Sequence, residues 1–210
     1  RGLGDVYKRQ AEPVEAEMPL GRYLASTEKR VRDRAIRSLA AFVLMRAQEG
    51  GLSMSPAELS KLWKGLFYCF WMSDKPLVQQ QLAQELSELV LMVAGIDTRS
   101  DEAQVASLRH ALAALDFYQG FWHTMQAEWL GVDKFRVDKY YLLMRRFLQA
   151  GCQLLLVYGC DALLVERYVH IMRGTDGPLS SNNVHVPDSI TYHICDCLLY
   201  TSDAADERSS

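Results

Sequence analysis

Prolines at positions 13, 19, 56, 76, 178 and 187 leave the span 77–177 with none. Proline removes a helical N–H donor, and its ring clashes with the preceding turn. A span this long without it is therefore open to long, unbroken helices. The chain has 210 residues, 49% of them hydrophobic and 23% charged. That is enough for one domain, or at most two small ones, around a real core. It excludes a disordered tail, a collagen-like chain and a disulfide miniprotein. No run reaches the roughly 18 apolar residues of a membrane span. The net charge of −3 excludes a polycation built to coat nucleic acid, so any RNA contact must come from a local patch.

The chain reads as a series of helices. The first is expected from about 27 to 47, capped by Ser26 or Thr27 and followed by Gly50-Gly51. Ser55-Pro56-Ala57-Glu58 forms a capping box with proline at the first helical position. After it, Leu59, Leu62, Trp63, Leu66, Phe67 and Phe70 recur at helical spacing. Ser73-Asp74-Lys75-Pro76 ends that helix and opens a third, with Asp74 expected to accept hydrogen bonds from its free amides. A fourth helix is predicted over 101–129, with Gly120 as a point of bending. A fifth is predicted from a cap near Asp133 to about 158, and a sixth over 161–173. The Gly-, Ser- and Asn-rich segment 174–186 reads as a loop before a last helix opening at Pro187-Asp188-Ser189. No strand pattern competes. Six to seven helices with short turns predict an all-α helical bundle, compatible in helix length with a right-handed HEAT-like solenoid.

Catalytic signatures are absent: there is no Walker A loop, no GxGxxG, no HExxH and no GxSxG. His193, Cys195 and Cys197 look like a metal cluster on paper, but alternate spacing on a helix does not bring such ligands to one side. Of the five cysteines, none forms a CxxC, and free thiols in a reducing compartment are the simpler reading. The aromatic run Trp63, Phe67, Tyr68, Phe70 and Trp71 reads as core rather than as a base-stacking platform.

The strongest electrostatic feature is the first helix. Arg30, Arg34 and Arg37 fall at i, i+4 and i+7 on one face, with Val31, Ala35, Leu39 and Phe42 on another. An ordinary solvated face competes with a contact for RNA phosphate or an acidic partner. A second group, Lys134, Arg136, Lys139, Arg145 and Arg146, is more dispersed.

The two ends stand apart. Asp5–Gln10 (DVYKRQ) and Cys197–Ser202 (CLLYTS) can be encoded by DNA strings that are reverse complements in a shifted frame, given an Asp196 codon ending in C. Both resemble the transposase end sequence of sequencing-library adapters. Residues 1–10 and 197–210 are therefore expected to be translated adapter around a helical domain at 11–196.

The block Lys61–Gln80, KLWKGLFYCFWMSDKPLVQQ, resembles the signature region of the eukaryotic ribosomal RNA-processing protein 1 family. This nucleolar family includes the fifty-two-kilodalton nucleolar protein. Within the block, Trp63, Gly65, Phe67, Trp71, Asp74, Lys75 and Pro76 are its structural signature. Leu24–Leu39, Phe117–Arg146 and Val186–Asp196 resemble the family's basic opening helix, central helix pair and late helix, in the same order. The resemblance implies a non-catalytic, HEAT-like scaffold of the nucleus and nucleolus. It implies a role in pre-rRNA processing and assembly of the large ribosomal subunit. The partners implied are large-subunit preribosome assembly factors, with pre-rRNA as a further partner; the basic residues Arg30, Arg34, Arg37, Lys134 and Arg136 are the candidate contacts for RNA or for a protein partner. It implies no cofactor, no small-molecule substrate and no membrane. A pre-rRNA nuclease or modifying enzyme is the competing class.

Overall fold

The structure, a computed structural model, describes residues 23–24, 26–48, 54–96 and 107–206. Among them are seven α-helices and no strand, so the chain is all-α. They are α1 (Lys29–Gln48), α2 (Pro56–Trp71), α3 (Pro76–Val93), α4 (Leu108–Glu128), α5 (Val137–Val157), α6 (Ala162–Arg173) and α7 (Asp188–Asp206). A short 3-10 turn, Trp129–Gly131, follows α4. The expected residues 101–106 of the fourth helix lie outside the described residues, as do residues 1–10. Residues 197–206 continue α7 without a break.

Local chemistry explains most boundaries. The Ser55 hydroxyl accepts from the Glu58 N–H at 3.3 Å, and the Glu58 carboxylate accepts from the Ser55 N–H at 2.8 Å. This is the reciprocal box expected, with Pro56 at the first helical position. Asp161 caps α6 by accepting from the Leu163 and Leu164 amides at 2.9 and 3.4 Å. The tight link before it needs positive φ at Gly159 (64°) and Cys160 (54°).

One boundary here differs from expectation. The fifth helix begins at Val137, four residues past Asp133. Asp133 instead accepts from the Phe135 N–H at 2.9 Å and pairs with Arg136, closing a turn of its own. Gly120 lies inside α4, which runs unbroken from Leu108 to Glu128. The glycine is there for close approach: a Cβ on it would lie 2.5 Å from Cδ1 of Trp63.

Each helix packs on the next but one: α1 on α3, α2 on α4, α3 on α5, α4 on α6 and α5 on α7. This is how two layers of helices stack when each unit contacts only its neighbours. The core between α2, α4 and α5 is aromatic. Trp63 meets Phe117 with ring centroids 4.6 Å apart, Phe67 stacks on Tyr140 at 4.7 Å, and Phe121 stacks on Phe147 at 3.7 Å. The polar ends of these rings are satisfied. The indole N–H of Trp63 donates to the Phe117 carbonyl, and the Tyr140 hydroxyl donates to the Phe67 carbonyl, each at 2.9 Å. Trp63, Leu66, Phe67 and Phe70 are all buried, as expected.

Phe67→Ala should therefore lower the unfolding free energy by about 3–5 kcal/mol, the range for removing a buried ring. Urea denaturation checks this. A loss below about 1 kcal/mol would mean that the α2–α5 seam does not hold the fold together.

Candidate interaction surface

The signature block builds the C-terminus of α2 and the turn into α3. The last carbonyls of a helix have no partner within it. Here they are taken by cations from two other helices. The ammonium of Lys139, at the start of α5, donates to the Trp71 carbonyl at 2.7 Å and the Ser73 carbonyl at 2.8 Å. The guanidinium of Arg32, on α1, donates to the Met72 carbonyl at 3.3 Å and to the Ser26 and Thr27 carbonyls at 2.8 and 3.0 Å. Both cations are buried. Their charge also suits the negative end of the α2 dipole. The Ser73 hydroxyl donates to the Phe70 carbonyl at 2.6 Å, completing the cap.

Burial pulls the Lys139 pKa down to about 8; Arg136 adds to the shift, while Asp74 and Asp133 oppose it. The ammonium still holds its proton at neutral pH. Burial likewise pushes the Cys69 thiol up to about 11 and raises the Tyr140 phenol. Neither group ionises near neutrality.

The expected site residues sort into three kinds. Trp63, Gly65 and Phe67 are buried on α2. Trp71 is half-buried, and the Arg136 guanidinium lies 4.5 Å above its ring. Asp74, Lys75 and Pro76 are exposed on the α2–α3 turn. Arg30, Arg34 and Arg37 are exposed along α1, and Lys134 is exposed on the α4–α5 turn, 5.1 Å from the centroid of the Phe135 ring.

The structure does not merge the two basic groups into one patch. Two residues along a helix rotate a side chain by about 200°. Arg32 faces inward to the α2 terminus, so Arg30 and Arg34 face roughly the opposite way. Sequence reasoning put Lys139 among dispersed surface charges and gave Arg32 no role. Their signal was periodicity. Arg32 shares a face with Ala35, Ile36 and Leu39, and Lys139 shares one with Leu143 and Phe147, all buried.

Asp74 is not the cap of α3. With Pro76 at the first helical position, the capping residue is Lys75, which makes no side-chain cap hydrogen bond. Asp74 stands one residue too early for its carboxylate to reach the first amides. The His193 ring stacks on Tyr141 at 4.2 Å, with Nε2 lying 3.0 Å from the Tyr141 carbonyl, and Cys195 is exposed. Among the described residues, no group of three or more His, Cys, Asp or Glu could hold a metal ion, and no helix is long and apolar enough to cross a membrane.

Comparison with known proteins places this arrangement. The family model described as nucleolar protein, Nop52, matches residues 15–207. The human protein named ribosomal RNA processing protein 1 homolog A is 36% identical over 156 residues, covering 74% of this chain and 31% of that protein. The mouse homolog B is 36% identical over 185 residues, covering 88% of this chain and 23% of that protein. The Drosophila melanogaster homolog is 32% identical over 136 residues, covering 65% of this chain and 18% of that protein. The chain spans less than a third of the length of these relatives.

Lys139→Met keeps the apolar stem but strips the Trp71 carbonyl of its donor and leaves the Ser73 carbonyl with the Gln79 amide alone. It should destabilise by about 1–3 kcal/mol, the cost of leaving buried polar groups unpaired. Asp74→Ala should change stability by less than about 0.5 kcal/mol, as for an exposed residue without a capping role. Thermal unfolding of both variants checks the pair. A costly Asp74→Ala beside a silent Lys139→Met would return the cap to Asp74.

Proposed function

The chain belongs to the Nop52 family of nucleolar proteins, and on that premise we propose that it is a non-catalytic helical scaffold in ribosome biogenesis. It works in the nucleolus, supporting pre-rRNA processing and assembly of the large subunit. Its contacts are with assembly factors and with pre-rRNA. The stacking of each helix on the next but one supports a HEAT-like frame, an architecture whose use is to present extended surface. The coding inverted repeat supports reading residues 1–10 and 197–210 as adapter, and sequencing the transcript across both ends tests that separately.

One observation carries the functional reading. The basic residues of α1 divide by face: Arg32 is buried as a structural donor, while Arg30, Arg34 and Arg37 remain exposed on a helix that Arg32 anchors. A fixed stripe of guanidinium groups suits phosphate oxygens or carboxylates, which it can engage two bonds at a time. The described groups with raised or lowered pKa are accounted for by packing, by caps and turns, and by the Glu128 carboxylate that Lys64 and Tyr68 share. That favours a scaffold over a nuclease or modifying enzyme.

Replacing Arg30, Arg34 and Arg37 together with Glu should leave thermal stability nearly unchanged, because all three are exposed. It should weaken association with large-subunit precursor particles. If RNA is the ligand, each lost phosphate contact should flatten the salt dependence of RNA affinity by about one unit of slope. Wild-type association with an unchanged slope would make the stripe a solvated face. Cleavage of pre-rRNA by the purified chain, with or without magnesium, would favour the enzyme.

A further inference from the structure

Three helix junctions lie at one end of the stack, and each carries an apolar side chain into solvent. Lys139 ties the α2–α3 turn to the start of α5. The indole N–H of Trp129, in the α4–α5 turn, donates to the Ser189 hydroxyl at the start of α7 at 2.8 Å. Gln126 donates to the Asp176 carbonyl, in the α6–α7 loop, at 3.1 Å. The three junctions therefore follow one another along a single rim. On it stand Leu77, 78% exposed; Leu130, 92%; Phe135, 84%; and Val184, 93%. These are the four most exposed large apolar residues of the described chain.

One exposed leucine needs no explanation. Turns, however, favour Gly, Asn, Asp and Ser, and Leu130, Phe135 and Val184 run against that preference, with Leu77 beside them in the first turn of α3. Their backbones are also pinned. The Asp133 carboxylate accepts from the Phe135 N–H. Asn183 donates to the Thr175 carbonyl at 3.0 Å and accepts from the His185 N–H at 2.9 Å, holding the chain on both sides of Val184. Leu130 sits in a 3-10 turn anchored by buried Trp129. Backbone held in place before binding loses little freedom when a partner covers it.

The charge on the rim selects the kind of partner. Asp74, Asp138, Asp176 and Asp188 are exposed there beside Lys75, Lys134 and Arg173. Asp133 and Arg136 pair with each other. No positive excess remains to hold a phosphate backbone. Large apolar groups interspersed with charges of both signs suit a protein partner better than a phosphate backbone.

We propose that this rim is a protein-docking surface, with Leu77, Leu130, Phe135 and Val184 as its anchors, for an assembly-factor protein that presents an apolar recess framed by charges of both signs. The inference rests on the scaffold reading above and gives it an edge separate from the arginine stripe of α1. Phe135 can be replaced by the photocrosslinker p-benzoyl-phenylalanine in the otherwise unchanged full chain and irradiated on purified large-subunit precursor particles. The expected result is a single protein adduct that resists ribonuclease and persists at raised salt. Adding Leu77→Ser, Leu130→Ser and Val184→Ser should lower its yield by about tenfold or more, with helical circular dichroism retained. An adduct to RNA, to a second copy of the chain or to the chain itself would overturn the proposal. So would no adduct, or one that the three serines leave undiminished. If the unmodified chain does not cosediment with the particles, the scaffold reading falls and the rim with it. If it cosediments but the rim stays silent, the rim alone falls.

Discussion

The C-terminus of α2 presents three carbonyls, from Trp71, Met72 and Ser73, that no residue of α2 can satisfy. Arg32 from α1 and Lys139 from α5 supply donors, and the Gln79 amide of α3 adds one to Ser73. A buried carbonyl without a donor is costly, and a buried cation without an acceptor is costlier. Each defect here removes the other. Helices α1, α2 and α5 are thereby fixed around one turn, and α3 starts from that turn with Pro76 at its first position. The aromatic seam of Trp63, Phe67, Phe121, Tyr140 and Phe147 then fills the space between α2, α4 and α5.

Most of the fold could be read from the sequence because its signals are local. The capping box at Ser55 and Glu58, the proline positions and the three- and four-residue spacing of apolar groups each act within one helix. Boundaries failed where two local signals competed. Asp133 could cap a helix or close a turn; its link to Arg136 made it close a turn, and α5 began later. Gly120 looked like a weak point because its reason, the indole of Trp63, lies on another helix. The roles of Arg32 and Lys139 were hidden for the same cause. Periodicity shows that a side chain faces inward, but not which carbonyl it will meet. The rim was equally hidden, since Leu77, Leu130, Phe135 and Val184 are separated in sequence and only the folded order of the turns brings them to one end.

This division of labour gives the family signature a physical meaning. Trp63, Gly65 and Phe67 are buried structural positions, and the carbonyls of Trp71 and Ser73 anchor α5. The residues proposed for contact lie elsewhere, on the outer face of α1 and along the rim of turns. A scaffold needs this separation, because surface that binds can vary without loosening the frame that positions it.

A double-mutant cycle on Arg32→Met and Lys139→Met tests the shared anchor most directly, with stability measured by urea denaturation. If both cations hold the same helix end, releasing it with one substitution leaves less for the other to lose. The double variant should then be less destabilised than the sum of the singles, by at least about 0.5 kcal/mol. Additivity within about 0.3 kcal/mol would mean that the two cations act independently, and that the α2 terminus is not the point at which the helices are joined.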